Sequence, residues 1–301
     1  MVPALVVMVL VAGCGEESGE RLANTPAPRA VERPAAVPPA PGPVTTLYPV
    51  TVLDDGDGAE LCLGGVADSL PPQCGGPPLV GWEWADHQGH FESRSGVRWG
   101  DFVVTGTLDG TSLTPSVVVP ADEFEEPDDS AAFEDDSLAT PCPEPDGGWR
   151  VLDPALTTEE SMQTTMMRAE QLDGYSESWV DQSINPAWDD GQIDAGDEGL
   201  LNDPALLVIN VRVTHDPEAA EAELRRVWGG SLCVSTAQHT DKELRRIQDE
   251  VNDLPGMLSS APGDDRVELM VIYDNGSYQD WADATYGEGT VLVYSALRAA
   301  S

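Results

Sequence analysis

The chain has 301 residues, with 54 acidic side chains against 15 Lys and Arg, and a formal net charge of −39 at pH 7. A charge of this sign opposes binding to DNA or RNA and adsorption to anionic lipid, because both are themselves negative. The charge is compatible with cationic partners, and solubility outside the cell is the simpler interpretation. The length accommodates two modest domains with linkers.

Residues 1–13 are predicted to form a signal peptide. The apolar run to Val11 is shorter than the roughly 18 residues of a transmembrane helix. The sequence Val11-Ala-Gly-Cys14 resembles a bacterial lipobox, in which the cysteine is lipidated and becomes the mature N-terminus. We therefore expect Cys14 to carry palmitate or a similar acyl chain and to anchor an extracytoplasmic lipoprotein to the cell membrane. The alternative is an ordinary signal peptide, and the lack of Lys or Arg before the apolar run predicts a start codon upstream.

Residues 14–44 are rich in Pro and Ala and contain little that could be buried. This composition predicts a disordered tether that leans towards polyproline II and lifts the folded part away from the membrane.

Residues 45–120 alternate between apolar and polar positions and contain many turn residues, which predicts a small all-β, barrel-like module. Asp109-Gly110 between apolar runs indicates a hairpin. The five predicted strands are Val50–Leu53, Ala59–Leu63, Leu79–Trp84, Gly100–Thr107 and Thr111–Val119.

Two sets of side chains in this module are candidate binding residues. Trp82, Trp84 and Trp99 either form an exposed surface or, as is usual in a small β domain, its core. His87 and His90 could bind a metal, but one His pair on a turn is more often structural.

Residues 121–153 are predicted to be a solvated acidic linker, because like charges repel and few apolar residues compensate. Two acidic runs, Asp54–Gly58 and Asp189–Gly199, could bind calcium weakly. The second run does not have the twelve-residue EF-hand spacing, so exposed loops are the default interpretation for both.

Four cysteines remain after lipidation of Cys14, and four cysteines allow three pairings. An exported protein favours disulfides. Proximity in the sequence favours Cys62–Cys74, which leaves Cys142–Cys233 as the second bond.

Residues 154–301 are predicted to form an α/β domain. Residues 232–297 give the element order β-α-β-β-α-β of a ferredoxin-like domain, with a capping box at Thr240-Asp-Lys-Glu243. An extra strand and helix precede it at Leu206–Val213 and after Asp216. A further helix, capped by Thr157-x-x-Glu160, leads into the domain. The overall prediction is an α+β protein.

Three segments of this domain carry a resemblance: KELRRIQDEVNDLPGMLSS, DDRVELMVIYD and YGEGTVLVYSALR, with GYSESWVDQ upstream. Together they cover residues 174–298 and resemble the pro-domain of secreted bacterial serine proteases of the streptogrisin and α-lytic type. The resemblance implies an α/β fold that assists the folding of a protease and inhibits it. The pattern departs from the family because no protease domain follows within these 301 residues.

The chain contains no G-x-S-x-G, H-E-x-x-H, P-loop or Rossmann glycine pattern. His215 and His239 fall in predicted strand-to-helix loops, but neither has a credible nucleophile beside it. We therefore predict no catalytic residue, no cofactor and no metal site. The leading hypothesis is a lipid-anchored module that binds an unknown protein partner. The alternatives are an inhibitor or folding assistant of a secreted serine protease, and an acidic, calcium-binding surface protein.

Overall fold

A computed structural model describes residues 31–125, 138–188, 200 and 203–300. In these residues the chain is a mixed α/β protein with 13 strands in three mostly antiparallel sheets and four α-helices. None of the helices in the described ranges has both the length and the apolar character needed to span a bilayer.

The helices and strands follow in chain order. They are β1 (Val44–Thr46), β2 (Val50–Asp54), β3 (Ala59–Leu61), β4 (Glu92–Arg94), β5 (Val97–Leu108), β6 (Leu113–Pro120), α1 (Glu159–Ala169), β7 (Tyr175–Asp181), β8 (Val208–Val213), α2 (Pro217–Leu224), β9 (Ser231–Thr236), α3 (Asp241–Val251), β10 (Met257–Gly263), β11 (Arg266–Val271), α4 (Ser277–Tyr286), β12 (Val291–Ser295) and β13 (Leu297–Ala299).

The first sheet has seven strands around the long central strand β5, with the order β13-β1-β5-β2-β3 and with β4 and β6 also paired to β5. It is not a closed barrel, which corrects the barrel-like prediction. The predicted strand at Leu79–Trp84 is also absent from the sheet. There Leu79 makes only a bridge to Leu113, and a short 3-10 turn begins at Trp84.

The first sheet contains a strand from the far end of the chain. β13 pairs antiparallel with β1, so that Val44 lies opposite Ala299. Leu297 and Tyr273 contribute to the same apolar core as Val44 and Phe102. The sequence divides residues 45–120 and 154–301 into separate domains, whereas in the structure the second segment completes the sheet of the first.

The predicted tether also contributes contacts near its end. Val37 packs against the core of the first sheet, and the Ala40 amide donates to the Leu108 carbonyl over 3.0 Å. The Arg33 guanidinium donates to the Glu250 carbonyl over 2.9 Å. Residues 33–44 therefore belong to the folded part rather than to a free spacer.

The α-helices and strands described between residues 158 and 296 form two copies of one unit, α-β-β-α-β. Repeat A (residues 158–237) contains α1, β7, β8, α2 and β9, and repeat B (residues 240–296) contains α3, β10, β11, α4 and β12. In each repeat the first two strands pair antiparallel and the last pairs parallel to the middle strand. Both helices of each repeat pack on one face of its three-stranded sheet.

The two repeats have a β-bulge and a backbone hydrogen bond at equivalent positions. The β-bulge of repeat A lies between Tyr175 and Glu177, and the β-bulge of repeat B between Met257 and Ser259. The amide after β8 donates to the Gly174 carbonyl over 2.8 Å, and the amide after β11 donates to the Gly256 carbonyl over the same distance. Shared irregularities of this kind indicate an internal duplication.

The duplication corrects the predicted ferredoxin-like arrangement. β9 is the first strand of the predicted β-α-β-β-α-β domain, but it pairs with β8 and lies in a different sheet from β10, β11 and β12. The helix α3 therefore begins a new unit instead of connecting two strands of one sheet. Element order alone cannot distinguish the two groupings, because both contain the same sequence of strands and helices.

Candidate functional site

The sheet of repeat A has an apolar face under its helices and a polar face on its other side. Successive strand residues point to opposite faces, so the alternates of the core residues Ile209 and Val211 form this second face. We call it the polar face of repeat A. Its residues are Glu177, Trp179, Asp181, Val208, Asn210, Arg212, Ser231, Cys233 and Ser235.

We call residues 138–150 the strap; its first five residues, 138–142, lie over this face. The Trp179 indole Nε1 donates to the Leu138 carbonyl over 2.9 Å. The Thr140 hydroxyl and amide donate to the Asp181 carboxylate over 2.6 and 2.8 Å. Cys142 is joined to Cys233 by a disulfide. The strap thus crosses β7, β8 and β9 in turn, and its contacts come from every second residue.

The Asp181 carboxylate is the main polar anchor of the strap. It is 5% exposed. Burial raises the pKa of Asp181, but hydrogen bonds from Thr140 and Ser183 outweigh this effect and hold the pKa below its ordinary value. Asp181 therefore stays ionised, and its negative charge strengthens the bonds that hold the strap.

Arg212 links the two repeats at the edge of the polar face. Its guanidinium lies 2.7 Å from the Glu177 carboxylate and 3.0 Å from that of Asp264, in the β10–β11 turn. It also stacks on the Trp179 ring, 4.9 Å from the ring centre. Burial alone would lower the pKa of Arg212, but the two carboxylates raise it. The contacts fix the β10–β11 turn of repeat B against the sheet of repeat A.

A cavity of about 410 Å³ opens where the two repeats meet, and we call it the groove. One wall comes from Trp179 and Glu177, and the other from the β10–β11 hairpin, where Ala261 and Gly263 leave space. Its remaining lining residues are Leu138, Pro262, Asp264, Arg266 and Glu268. The Arg266 Nε atom is buried and has no hydrogen-bond partner within the described residues.

The groove continues onto the sheet face of repeat B that lies away from its helices. We call this the open face of repeat B. Met270 and Tyr294 there are 39% and 42% exposed. Its residues are Ser259, Ala261, Gly263, Arg266, Glu268, Met270, Leu292 and Tyr294. The strap covers the corresponding face of repeat A, whereas these large apolar side chains remain in contact with solvent.

Both cysteine pairs expected from the sequence are present as disulfides, Cys62–Cys74 and Cys142–Cys233. They are consistent with an extracellular or otherwise oxidising compartment. Cys14 lies outside the described residues.

Of the three candidate tryptophans, Trp84 is buried, whereas Trp82 and Trp99 are partly buried. Trp84 is 5% exposed, and its indole donates to the Asp54 carboxylate over 2.8 Å. Trp82 contacts Trp84 and Phe102 edge-on and stacks on His87. Partial burial lowers the pKa of His87, whose ring stacks on Trp82.

The described residues that the sequence suggested as calcium or metal ligands make contacts within the protein. The Asp54 carboxylate accepts hydrogen bonds from Trp84, Arg98 and the Gly56 amide, which uses its oxygens within the protein. His90 lies 2.9 Å from Asp122. Among the residues with described positions, no cluster of three or more His, Cys, Asp or Glu has the geometry of a metal site. The run Asp189–Gly199 falls outside them.

The two loop histidines, His215 and His239, make separate contacts. His215 is half exposed and lies 3.6 Å from Asp173 and 3.5 Å from Asp216. His239 lies 3.4 Å from the Thr290 hydroxyl. Neither histidine lines the groove or the polar face.

The sequence interpretation did not select Trp179, Arg212 or Glu268 as candidate residues. One signal was available: Arg212 is the one charged residue in the mostly apolar run Leu206–Val213, where a charge needs a partner. Its partners Glu177 and Asp264 are far from it in the sequence, so the pattern could not identify them.

Comparison of the chain with protein-family models, with curated proteins and with solved structures finds no match.

Proposed function

We propose that this protein is an exported lipoprotein, anchored at Cys14, whose tandem repeats bind a protein partner at the groove and the adjacent open face of repeat B. The observation that carries the proposal is the exposure of Met270 and Tyr294 on a sheet face that continues into the groove. Apolar side chains grouped beside a concave site are typical of interaction surfaces. Scattered apolar residues elsewhere on the surface need no such explanation.

The proposed location rests on two observations. The protein has two disulfides, and such bonds persist in oxidising compartments. The lipobox-like sequence before Cys14 supplies the means of attachment. A lipid-anchored protein of charge −39 faces the medium with its folded part held off an anionic bilayer by repulsion.

The anchor is tested by labelling producing cells with radioactive palmitate. We expect label in the wild-type protein and none in Cys14→Ser, with the variant released from the membrane fraction. Cys62→Ser, which removes a different cysteine, is the matched control and should retain the label. Wild-type protein without label, or recovered reduced from the cytosol, would end the location proposal.

The binding surface is tested by placing a photo-reactive amino acid at Met270 in intact producing cells. We expect a discrete cross-linked species after irradiation. The matched control carries the same residue at Met167, which is 57% exposed on α1. Equal adducts at both sites, or none at Met270, would contradict an interface on repeat B.

A further inference from the structure

Because the two repeats share one strand register, each residue of repeat A that the strap contacts has a counterpart in repeat B. In repeat A the row Trp179–Asn210–Cys233 runs straight across the three strands. In repeat B the register places Ala261–Glu268–Leu292 in the corresponding row. The pairing around each row is the same, so the two rows occupy the same place in the two sheets.

The strap follows the row in repeat A. Leu138 meets Trp179, and the Asn210 amide donates to the Thr140 hydroxyl over 3.2 Å. Cys142 then reaches Cys233. Three alternate residues of the strap therefore contact three successive strands, which is the geometry of an extended chain laid across a sheet.

We infer that the open face of repeat B binds an extended segment of a partner protein along the row Ala261–Glu268–Leu292, as the strap binds repeat A. The inference rests on the proposed function and specifies the partner. The chemistry of each position in the row, compared with its counterpart in repeat A, determines which side chains that segment must carry.

The first position requires a large apolar side chain. Repeat A has Trp179 and Asp181 where repeat B has Ala261 and Gly263. The groove lies beside these small residues. A side chain such as Leu, entering above Ala261, would fill space that the Trp179 ring occupies in repeat A, and its burial would contribute favourably.

The second position requires a cation. Glu268 replaces Asn210, and its side chain is 49% exposed. The guanidinium of Arg266 lies 3.7 Å from Glu268 but 2.9 Å from Asp264, so it is shared between two carboxylates. A Lys or Arg on the partner would complete the charge balance at Glu268. The net charge of −39 further favours a basic segment and opposes a second copy of this chain.

The third position requires an apolar side chain. Leu292 stands where Cys233 forms the disulfide in repeat A, and Met270 and Tyr294 flank it. The recognition pattern is therefore apolar, basic and apolar at alternate positions, with no covalent bond.

The test uses the purified exported protein with both disulfides intact and a fluorescent nine-residue peptide, Gly-Ser-Leu-Ser-Arg-Ser-Val-Ser-Gly. Fluorescence anisotropy should show saturable binding that weakens at least tenfold when Glu replaces the central Arg. The Glu268→Arg variant should lose at least tenfold in affinity for the first peptide and gain affinity for the Glu-containing one. The matched control is Glu218→Arg, the same charge change at an exposed residue of α2, which should bind nearly as the wild type does.

Glu268→Gln serves as a second variant, because it keeps the shape of the side chain, and circular dichroism verifies the fold of each variant. Equal binding of the Arg and Glu peptides, or equal effects of Glu268→Arg and Glu218→Arg, would overturn the inference. Concentration-dependent self-association of the wild type that Glu268→Arg abolishes would assign the face to a second copy and also overturn it. Cross-linking at Met270 combined with a failed peptide test would leave the proposed function intact and refute only the recognition pattern.

Discussion

Gly174 and Gly256 occupy the same position in two copies of one structural unit. Each precedes the first strand of its repeat with a positive φ, 74° and 68°, and each accepts the same hydrogen bond from the residue after the middle strand. The interval between them equals that between the two capping residues Thr158 and Thr240. The chain therefore preserves this turn in both repeats, although the side chains around it differ.

Gly174→Ala and Gly256→Ala should destabilise the protein to a similar extent, by about 1 to 2 kcal/mol each, because an L-residue is strained in this conformation. A Cβ atom at Gly174 would also lie 2.7 Å from the Thr214 hydroxyl, and one at Gly256 would overlap the Val37 side chain. Urea unfolding measures the change. Gly65→Ala, at an open position, is the control and should change stability little. An unchanged stability in either variant would show that the turn does not require the positive φ of glycine.

Removal of the Cys142–Cys233 disulfide by double substitution to Ser should cost more stability than removal of Cys62–Cys74. The sequence separations are 91 and 12 residues. In the chain-entropy model the longer loop is worth between 4 and 5 kcal/mol, roughly, and the shorter about 3 kcal/mol. Denaturant midpoints of the two variants test the order. The opposite order would indicate that native contacts of the strap, rather than the unfolded chain, determine the effect.

Asp181→Ala should release the strap and cost about 1 to 3 kcal/mol, because the hydrogen bonds that Thr140 and Ser183 donate to its charged carboxylate are lost. The pKa of Asp181 is lowered in the folded protein. The contribution of Asp181 to the free energy of unfolding is therefore complete above pH 3.8, the ordinary pKa, and is lost as the pH falls through the lower pKa of the folded protein. Unfolding measured from pH 7 down to pH 2 should therefore show less acid dependence in the variant. Asp146→Ala, which changes an exposed strap residue, should keep the wild-type pH profile.

Tyr278→Phe should lower stability at neutral pH by about 0.5 to 1.5 kcal/mol, because the Tyr278 hydroxyl donates to the Pro255 carbonyl over 2.6 Å. Burial raises the pKa of Tyr278 to about 12 from its ordinary value of 10. The neutral phenol therefore stabilises the fold below pH 10, and this contribution is lost as the pH rises towards 12. Alkaline unfolding followed by circular dichroism tests the sign: the wild type should lose more stability than the variant between pH 10 and 12.

The features that the sequence predicted well depend on local chemistry. The Thr240–Glu243 capping box is present, and the predicted cap of α1 is shifted by one residue, from Thr157 to Thr158 with Ser161. The hairpin at Asp109 is also present, and hydrogen bonds from Thr111 and Ser112 lower the pKa of Asp109 to about 2. Each of these motifs satisfies backbone groups within a few residues, so the pattern contains all the partners.

The duplication and the candidate site could not be predicted in the same way. Residues 182–207 separate β7 from β8, whereas only Asp264 and Asp265 separate β10 from β11, so no single interval aligns the two repeats. Equivalent positions also carry unlike side chains, such as Arg212 and Met270. The contact of Trp179 with Leu138 is specified by the fold of the whole chain and leaves no local pattern.

The pairing of β13 with β1 also determines when the protein can fold. The ribosome releases Val44 long before Ala299, so the first sheet lacks its edge strand until almost the entire chain has been synthesised. Under the proposed export, the chain would cross the membrane unfolded, and an edge strand synthesised last would delay the completion of the first sheet until then. Fusions that block residues 297–299 should for the same reason impair secretion yield more than equivalent fusions ahead of β1.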